Sequence, residues 1–484
     1  MIHNSVKKWE KRGIPGGKVI RRLSLTYALV LLASVAAVYG LVQAGAQIFP
    51  EAALTGFKTP AAAENKPLFL TLCSLLIVIV VTRVLGSLFI ALKQPRVIGE
   101  IIGGILLGPS ALGAVAPGVA AAILPASSLP FLSVISQIGI LLFMFLIGLE
   151  LDLSSLRRSG HAALLISHAS ILLPFLLGLG SAFATYRGYA PAGTPFTAFA
   201  LFIGVSMSVT AFPVLARILS ESGMSKTRVG VLALTCAAID DATAWCLLAL
   251  VIGLLHASVS SAVATVILTA VYVLLMFFAV KPLLRRLLPI IEQSREHISE
   301  TSLAFVLIGL LLSAVATEFI GIHALFGGFL IGAIIPHESL LAKDLKGRLE
   351  DLVRVFFLPA FFAFTGLRTQ IGLLESGTDV IVCLGLIAVA TLGKFGGAYG
   401  AGRLAGLNRR DSSIVGVLMN TRGLVGLIVL NAGLDYGVLS PKLFTMLVLM
   451  AVVTTFATGP LLRLLRDPES EKESANILEF RESR

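Results

Sequence analysis

From Val231 to Leu255 the chain reads VLALTCAAIDDATAWCLLALVIGLL, an apolar run broken in its middle by two adjacent carboxylates, Asp240 and Asp241. A helix rising 1.5 Å per residue needs about 20 apolar residues to cross the hydrocarbon core of a bilayer. Fourteen stretches of this kind are read, near 23–49, 68–92, 97–113, 130–150, 162–185, 196–217, 230–255, 260–281, 301–320, 322–336, 353–373, 378–402, 411–434 and 441–463. The ninth and tenth nearly touch at Gly321, so thirteen is the alternative count. Charged residues make up 13% of the chain against 56% hydrophobic, about half the charged share of a soluble domain. The expectation is an all-α polytopic membrane protein embedded in a lipid bilayer.

The 38 Lys+Arg outnumber the 27 Asp+Glu, giving a net charge of +11. Most of the excess lies in short loops and the N-terminal tail, and it alternates. Lys93/Arg96, Arg157/Arg158, Arg217/Lys226/Arg228, Lys281/Arg285/Arg286/Arg295, Lys343/Lys346/Arg348/Arg354 and Arg403/Arg409/Arg410 all fall on one side. The positive-inside rule then puts both termini in the cytoplasm and explains the basicity with no nucleic-acid partner, and the membrane expected is a bacterial-type inner membrane. The basic start with Arg21-Arg22 and the apolar run to Phe49 are read as an uncleaved helix, since the run is about twice the length of a signal-peptide core. Cys73, Cys236, Cys246 and Cys383 lie in apolar segments without CxxC spacing, so no disulfide framework or zinc site is expected. No nucleophile–base set or phosphate loop is visible either, so neither an enzyme nor a bound cofactor is expected.

The organisation expected is a tail and extra helix over 1–66, a membrane domain over 67–466 and a short cytoplasmic tail over 467–484. Within the membrane domain, six spans (about 67–256), a linker helix (260–281) and six more (about 300–466) hint at duplication. The fifth member of each six is interrupted: SVTAFPVLARIL at 208–219, where Thr210 and Pro213 break the backbone ladder, and NTRGLVGLIVLN at 420–431. Interrupted helices at matching positions of two halves point to a transporter site.

A charge at the centre of a membrane helix costs about 2.5–3.5 kcal/mol on insertion scales, so a carboxylate pair there needs water, a cation or a fixed partner. Asp240 and Asp241 project about 100° apart on a helix and need not share one environment. Lys394, mid-span in VATLGKFGGAYG, is the natural counter-ion, and the glycines after it (Gly396, Gly397, Gly400) permit close helix contact. Arg422 is expected either to neutralise helix C-terminal ends or to pair with a glutamate such as Glu100. Thr210, Asn420, Thr421 and Thr243 offer neutral oxygens to a dehydrated cation, because oxygen ligands suit hard ions. Glu150 and Asp152 are read as interfacial, His161, His168 and His323 as packing or loop residues, and Arg83 and Arg368 as gate or interface charges.

The stretches QPRVIGEIIGGILLGP (94–109), FLIGLELDL (145–153), SVTAFPVLARIL (208–219), AIDDATAW (238–245), FFAFTGLRT (361–369), TLGKFGGAYG (391–400) and NTRGLVGLIVLNAG (420–433) follow in the order of a known family. Together they resemble the monovalent cation:proton antiporters of the Kef/Nap-type branch, related to plant cation/H+ exchangers and bacterial Na+/H+ antiporters. The resemblance implies the inverted-repeat antiporter fold with two crossed broken helices, about 13 core transmembrane helices beside one N-terminal helix, and a homodimer. It implies that Asp241 carries cation and proton, that Asp240 pairs with Lys394, and that exchange of Na+ and/or K+ for H+ is electrogenic and proceeds by alternating access. Relatives with a cytosolic nucleotide-binding domain are gated by NAD or glutathione; such gating is not expected of this chain. Two competing readings stand beside it: a sodium-coupled organic-anion symporter of similar fold, which gives no reason for Asp-Asp opposite Lys394, and a cation channel, which would conduct far above carrier turnover.

Overall fold

A computed structural model describes residues 67–92, 94–150, 160–225, 227–255, 259–292 and 298–465. The span expected at 23–49, Asp152 and the C-terminal tail lie outside these. Every expected span from 68–92 onward falls on a helix or a broken helix, and no strand occurs among the described residues. In chain order the helices are α1 (Pro67–Ala91), α2 (Arg96–Leu107), α3 (Leu129–Glu150), α4 (Gly160–Tyr189), α5 (Phe196–Ser208), α6 (Phe212–Glu221) and α7 (Arg228–Leu255). Then come α8 (Val259–Leu275), α9 (Lys281–Ile291), α10 (Glu300–Ile320), α11 (Ala324–Ile334), α12 (Leu340–Leu352), α13 (Leu358–Leu367), α14 (Gly377–Leu404), α15 (Arg409–Met419), α16 (Leu424–Asp435) and α17 (Pro441–Leu465). Among the described residues, ten helical stretches are long and apolar enough to cross a membrane, with three shorter apolar helices beside them. This is a multi-pass membrane protein.

One boundary, at Gly321, falls where the fourteen-span reading put it and two differ from the sequence reading, each for a local reason. At Gly321 the backbone turns left-handed (φ 94°), and the Ile322 amide bonds back to the Thr317 carbonyl at 3.0 Å. That closes α10 as a glycine cap does and makes α10 and α11 separate helices. The span expected at 353–373 begins earlier, at α12, where Ser339 Oγ accepts from the Ala342 amide. Hydropathy windows pass over α12 because its apolar side is narrow (Leu341, Ala342 and Leu345 are buried) and its other side is charged. The linker helix likewise runs past Lys281, through a π-helical turn at Met276–Val280 into α9.

The helices form two bundles. One packs α1, α2, α3, α11 and α13 together; the other packs α4, α5, α7, α14, α15 and α17. Close crossings in the first bundle depend on small residues, because lipid gives apolar helices no hydrophobic reason to associate. A Cβ on Gly104 of α2 would fall on the backbone of Ala363 in α13, so only glycine lets these two helices touch.

Candidate ion-binding site

The second bundle holds both broken helices. α5 ends at Ser208, the chain is extended at Val209, and α6 begins at Phe212. The interruption therefore sits at 209–211, and Pro213 occupies the first turn of α6, where a missing N–H costs no helical hydrogen bond. It starts the second half-helix instead of splitting a ladder. The other interruption lies between Met419 and Leu424. The two meet: the Ala211 amide donates to the Thr421 carbonyl (3.1 Å), and Thr210 Oγ1 lies 3.1 Å from the Met419 carbonyl. Four helix ends converge there.

Helix C-termini leave carbonyls unpaired and carry partial negative charge. Arg422, almost fully buried, answers that charge at the end of α5. Its Nη1 donates to the Ser206 carbonyl (3.0 Å), and its Nη2 reaches Met207 (2.7 Å) and Ala390 (3.3 Å). Its own amide donates to Thr455 Oγ1 at 3.0 Å, and that hydroxyl donates to the Arg422 carbonyl. The pairing with Glu100 does not occur. Glu100 is buried on α2, in the other bundle, in the field of Arg96, Arg83 and Arg217.

Asp240 and Asp241 lie in the unbroken helix α7 and face different surroundings, as their 100° offset requires. Asp240 is 0% exposed and densely held: Ser167 Oγ donates to Oδ1 (2.5 Å), while Ser170 Oγ (3.0 Å), Thr210 Oγ1 (2.7 Å) and Lys394 Nζ (2.8 Å) donate to Oδ2. Lys394 reaches it from α14, which lies against α4 because a Cβ on Gly397 would meet the Ala169 and Ser170 backbone. Gly393 makes a second such contact, against Pro174; Gly400, expected to help, faces open space.

Asp241 is 2% exposed, and neither of its oxygens has a hydrogen-bond partner among the described residues. The Phe212 amide, in the first turn of α6, is the backbone donor that faces it. Asn420 Oδ1 is likewise buried and unpartnered. Thr243 instead donates to the Ile239 carbonyl one turn back (2.8 Å), and Thr421 Oγ1 lies 3.4 Å from Thr458 Oγ1.

Direct bonds thus join Asp240, Lys394 and Thr210, and the helix crossing adds Thr421 and Arg422 nearby. Sequence reasoning missed Ser167 and Ser170. Their signal was two serines three residues apart within the apolar stretch LLISHASILL. At the periphery, Glu150 pairs with Lys346 (2.7 Å), His323 Nδ1 caps α11, His161 and His168 are exposed, and Arg83 donates to the Arg354 carbonyl. Arg368 ties α13 to α16 through Asn431 and Asp435.

Comparison with known proteins gives the family and the fold. Residues 67–465 match the family model of the sodium/hydrogen exchanger, transmembrane. The Na(+)/H(+) antiporter NhaS4 of Synechocystis is 44% identical over 400 residues, covering 82% of this chain and 97% of that protein. Cation/H(+) antiporter 18 of Arabidopsis thaliana is 41% identical (82% of this chain, 49% of that one), and K(+)/H(+) antiporter 1 of Saccharomyces cerevisiae is 36% identical (85% and 48%). The chain spans about half the length of these plant and yeast relatives. The sodium proton antiporter MjNhaP1 of Methanocaldococcus jannaschii shares the fold, with a TM-score of 0.60 at 17% identity over 83% of this chain and all of that one. On this evidence the chain belongs to the sodium/hydrogen exchanger family.

Proposed function

We propose that this chain exchanges Na+ and/or K+ for H+, with Asp241 as the group that proton and cation occupy in turn. One observation carries the reading: Asp241 is buried with no side-chain donor to either oxygen among the described residues, one residue from an aspartate held by four side-chain donors. A bare carboxylate removed from water is penalised by several kcal/mol. It is stable at that depth with a proton or with a cation, and the two exclude each other. Asn420 Oδ1 and Thr210 supply further oxygens of the kind a dehydrated alkali cation prefers. The relatives named as Na+/H+ and K+/H+ antiporters support both ions equally.

Asp240 with Lys394 forms the second charged element, and its participation makes the exchange electrogenic. The membrane domain works as two inverted repeats, about 67–256 and 300–466. Alternating access follows from motion of the bundle holding the broken helices against the other, with the first bundle joining two copies as a homodimer. The alternating loop charges support cytoplasmic termini in an inner membrane.

Because proton and cation compete for one carboxylate, exchange falls as pH drops and recovers when cation concentration rises. The test is Asp241→Asn in proteoliposomes carrying a pH-sensitive dye, with Na+ and K+ compared under a clamped membrane potential. The variant is expected to remain folded and lose exchange by at least about 100-fold, the scale of a group essential to the chemistry. Exchange at the wild-type rate overturns the assignment.

A further inference from the structure

Asp240 is held by more than its ammonium partner. Three neutral hydroxyls surround it, two of them on α4, and Ser167, Ser170, Thr210, Lys394 and Asp240 are all 0% exposed. Ser167 and Ser170 stand three residues apart, so both hydroxyls leave the same face of α4. Two of the three hydroxyls also have a second acceptor within reach. Ser170 Oγ lies 2.9 Å from the Ser167 carbonyl, and Thr210 Oγ1 lies 3.1 Å from the Met419 carbonyl. A hydroxyl has one proton and rotates to suit. Ser170 and Thr210 therefore can point at Asp240 or turn to backbone, whereas Ser167 has Asp240 alone as its described acceptor.

We propose that Ser167 and Ser170 are positioning residues that keep Asp240 anionic when Lys394 leaves it, so that an incoming cation, and not a proton, takes the place of the ammonium. This inference rests on the antiport reading above. The balance is simple: Lys394 and Asp241 each release one proton, one monovalent cation arrives, and Asp240 stays ionised throughout. Hydroxyls suit this task because their donor strength does not depend on pH in the working range. The charged and titratable groups acting on the Asp240–Lys394 pair are Asp241 and Cys236 on α7 and Arg422 from the second break. None of these donates a hydrogen bond to Asp240 among the described residues; its donors there are Ser167, Ser170, Thr210 and Lys394.

The test compares Ser167→Ala and Ser170→Ala with the hydroxyl-retaining Ser167→Thr and Ser170→Thr in proteoliposomes between pH 6 and 9. Each alanine variant is expected to move half-maximal exchange upward by about one pH unit, the size of one hydrogen bond to a charged group. The apparent KM for the cation at pH 7 rises about tenfold, while the maximal rate at alkaline pH stays within about twofold of wild type. The threonine variants restore the profile. Should an alanine variant fail to give a monodisperse protein, Ser→Cys, a weaker donor of similar size, is expected to show the same shift in smaller measure. A pH midpoint that does not move, or equal losses in alanine and threonine variants, overturns the inference. Asp241→Asn in the same vesicles separates the two readings. If it exchanges ions, antiport through Asp241 fails; if it is inactive while the alanine variants match wild type, only the serine role fails.

Discussion

The two interrupted helices meet at one depth but are closed by opposite chemistry. At the first interruption the local sequence supplies only a hydroxyl, Thr210, and the carbonyls ending α5 are answered by a guanidinium reaching over from the second. The second interruption brings that cation with it and has its own backbone ends tied to Thr455 on α17, leaving Asn420 Oδ1 unpartnered. The partial negative charge at the C-terminal end of α5 is thus permanently met by a cation that cannot leave. A mobile cation gains little there. In the proposed exchange it is drawn instead to Asp241, the buried carboxylate that meets no side-chain donor among the described residues. The asymmetry separates a structural positive charge from an exchangeable one.

Removing the structural charge should have the largest effect. Arg422→Ala strips the donors from three buried backbone carbonyls. Leaving a buried acceptor unsatisfied costs about 1–3 kcal/mol, and three acceptors are affected at once. The expected result is a large fall in Tm in detergent and loss of exchange at every pH, not a displaced pH profile. Arg422→Lys keeps the charge but loses the fork, and should recover folding in part. A Tm for Arg422→Ala equal to wild type would erase the distinction between the two interruptions. The next effect is a control outside the second bundle. Gly104→Ala places a methyl against the Ala363 backbone, and overpacking of that kind costs about 1–3 kcal/mol. Its Tm should fall while the pH midpoint of exchange stays where it was, since no titrating group is touched.

Much of this arrangement was legible in the sequence, and the illegible parts share a cause. Long apolar runs identify α1, α4, α7, α14 and α17 because in lipid every residue on a span is selected for hydropathy. Asp240, Asp241 and Lys394 stood out for the same reason: charge is conspicuous against that background. α12 escaped because it is amphipathic, and an average over its residues cancels. Ser167 and Ser170 escaped because serine is common in membrane helices and says nothing of which neighbour its hydroxyl meets. Arg422 was conspicuous, and of its two expected roles the neutralising of a helix C-terminal end is the one seen, while the pairing with Glu100 is not, because that carboxylate lies in the other bundle. Pro213 shows a related error of register. Proline marks the neighbourhood of a break, but its tolerance in a first turn put it after the interruption instead of within it.

Thr210→Val comes third in expected size. The side chain keeps its shape and loses its hydroxyl, so Asp240 forfeits one donor while Lys394, Ser167 and Ser170 remain. Interhelical side-chain hydrogen bonds in membranes are worth about 0.6 kcal/mol on average and up to about 1.7. A modest Tm loss is expected, with the pH midpoint of exchange moved upward by less than about one unit; no movement of the midpoint would place Thr210 outside the electrostatics of the pair.

The smallest effect is expected where the charges are most visible. Arg368 Nη2 lies 2.5 Å from Asp435 Oδ1 and forms an ion pair between the bundles, with side-chain exposures of 22% and 51%. Distance alone would rank it above the Lys394–Asp240 pair at 2.8 Å. Solvent reverses that order, since half-exposed pairs are screened and contribute about 0–1 kcal/mol. A double-mutant cycle of Arg368→Ala and Asp435→Ala, read by thermal unfolding, should give a coupling of about 0.5 kcal/mol. That coupling should vanish in about 1 M salt, where the screening length is about 3 Å. Arg368→Ala alone should cost more than the coupling, because its Nη1 also donates to Asn431 Oδ1 and its guanidinium lies over the Phe364 ring. A coupling above about 2 kcal/mol that persists in salt would place this contact with the buried interactions of the helix breaks. The bundles would then be locked together at that end by an ion pair as strong as those inside the site, and burial would no longer separate the two classes of charge in this molecule.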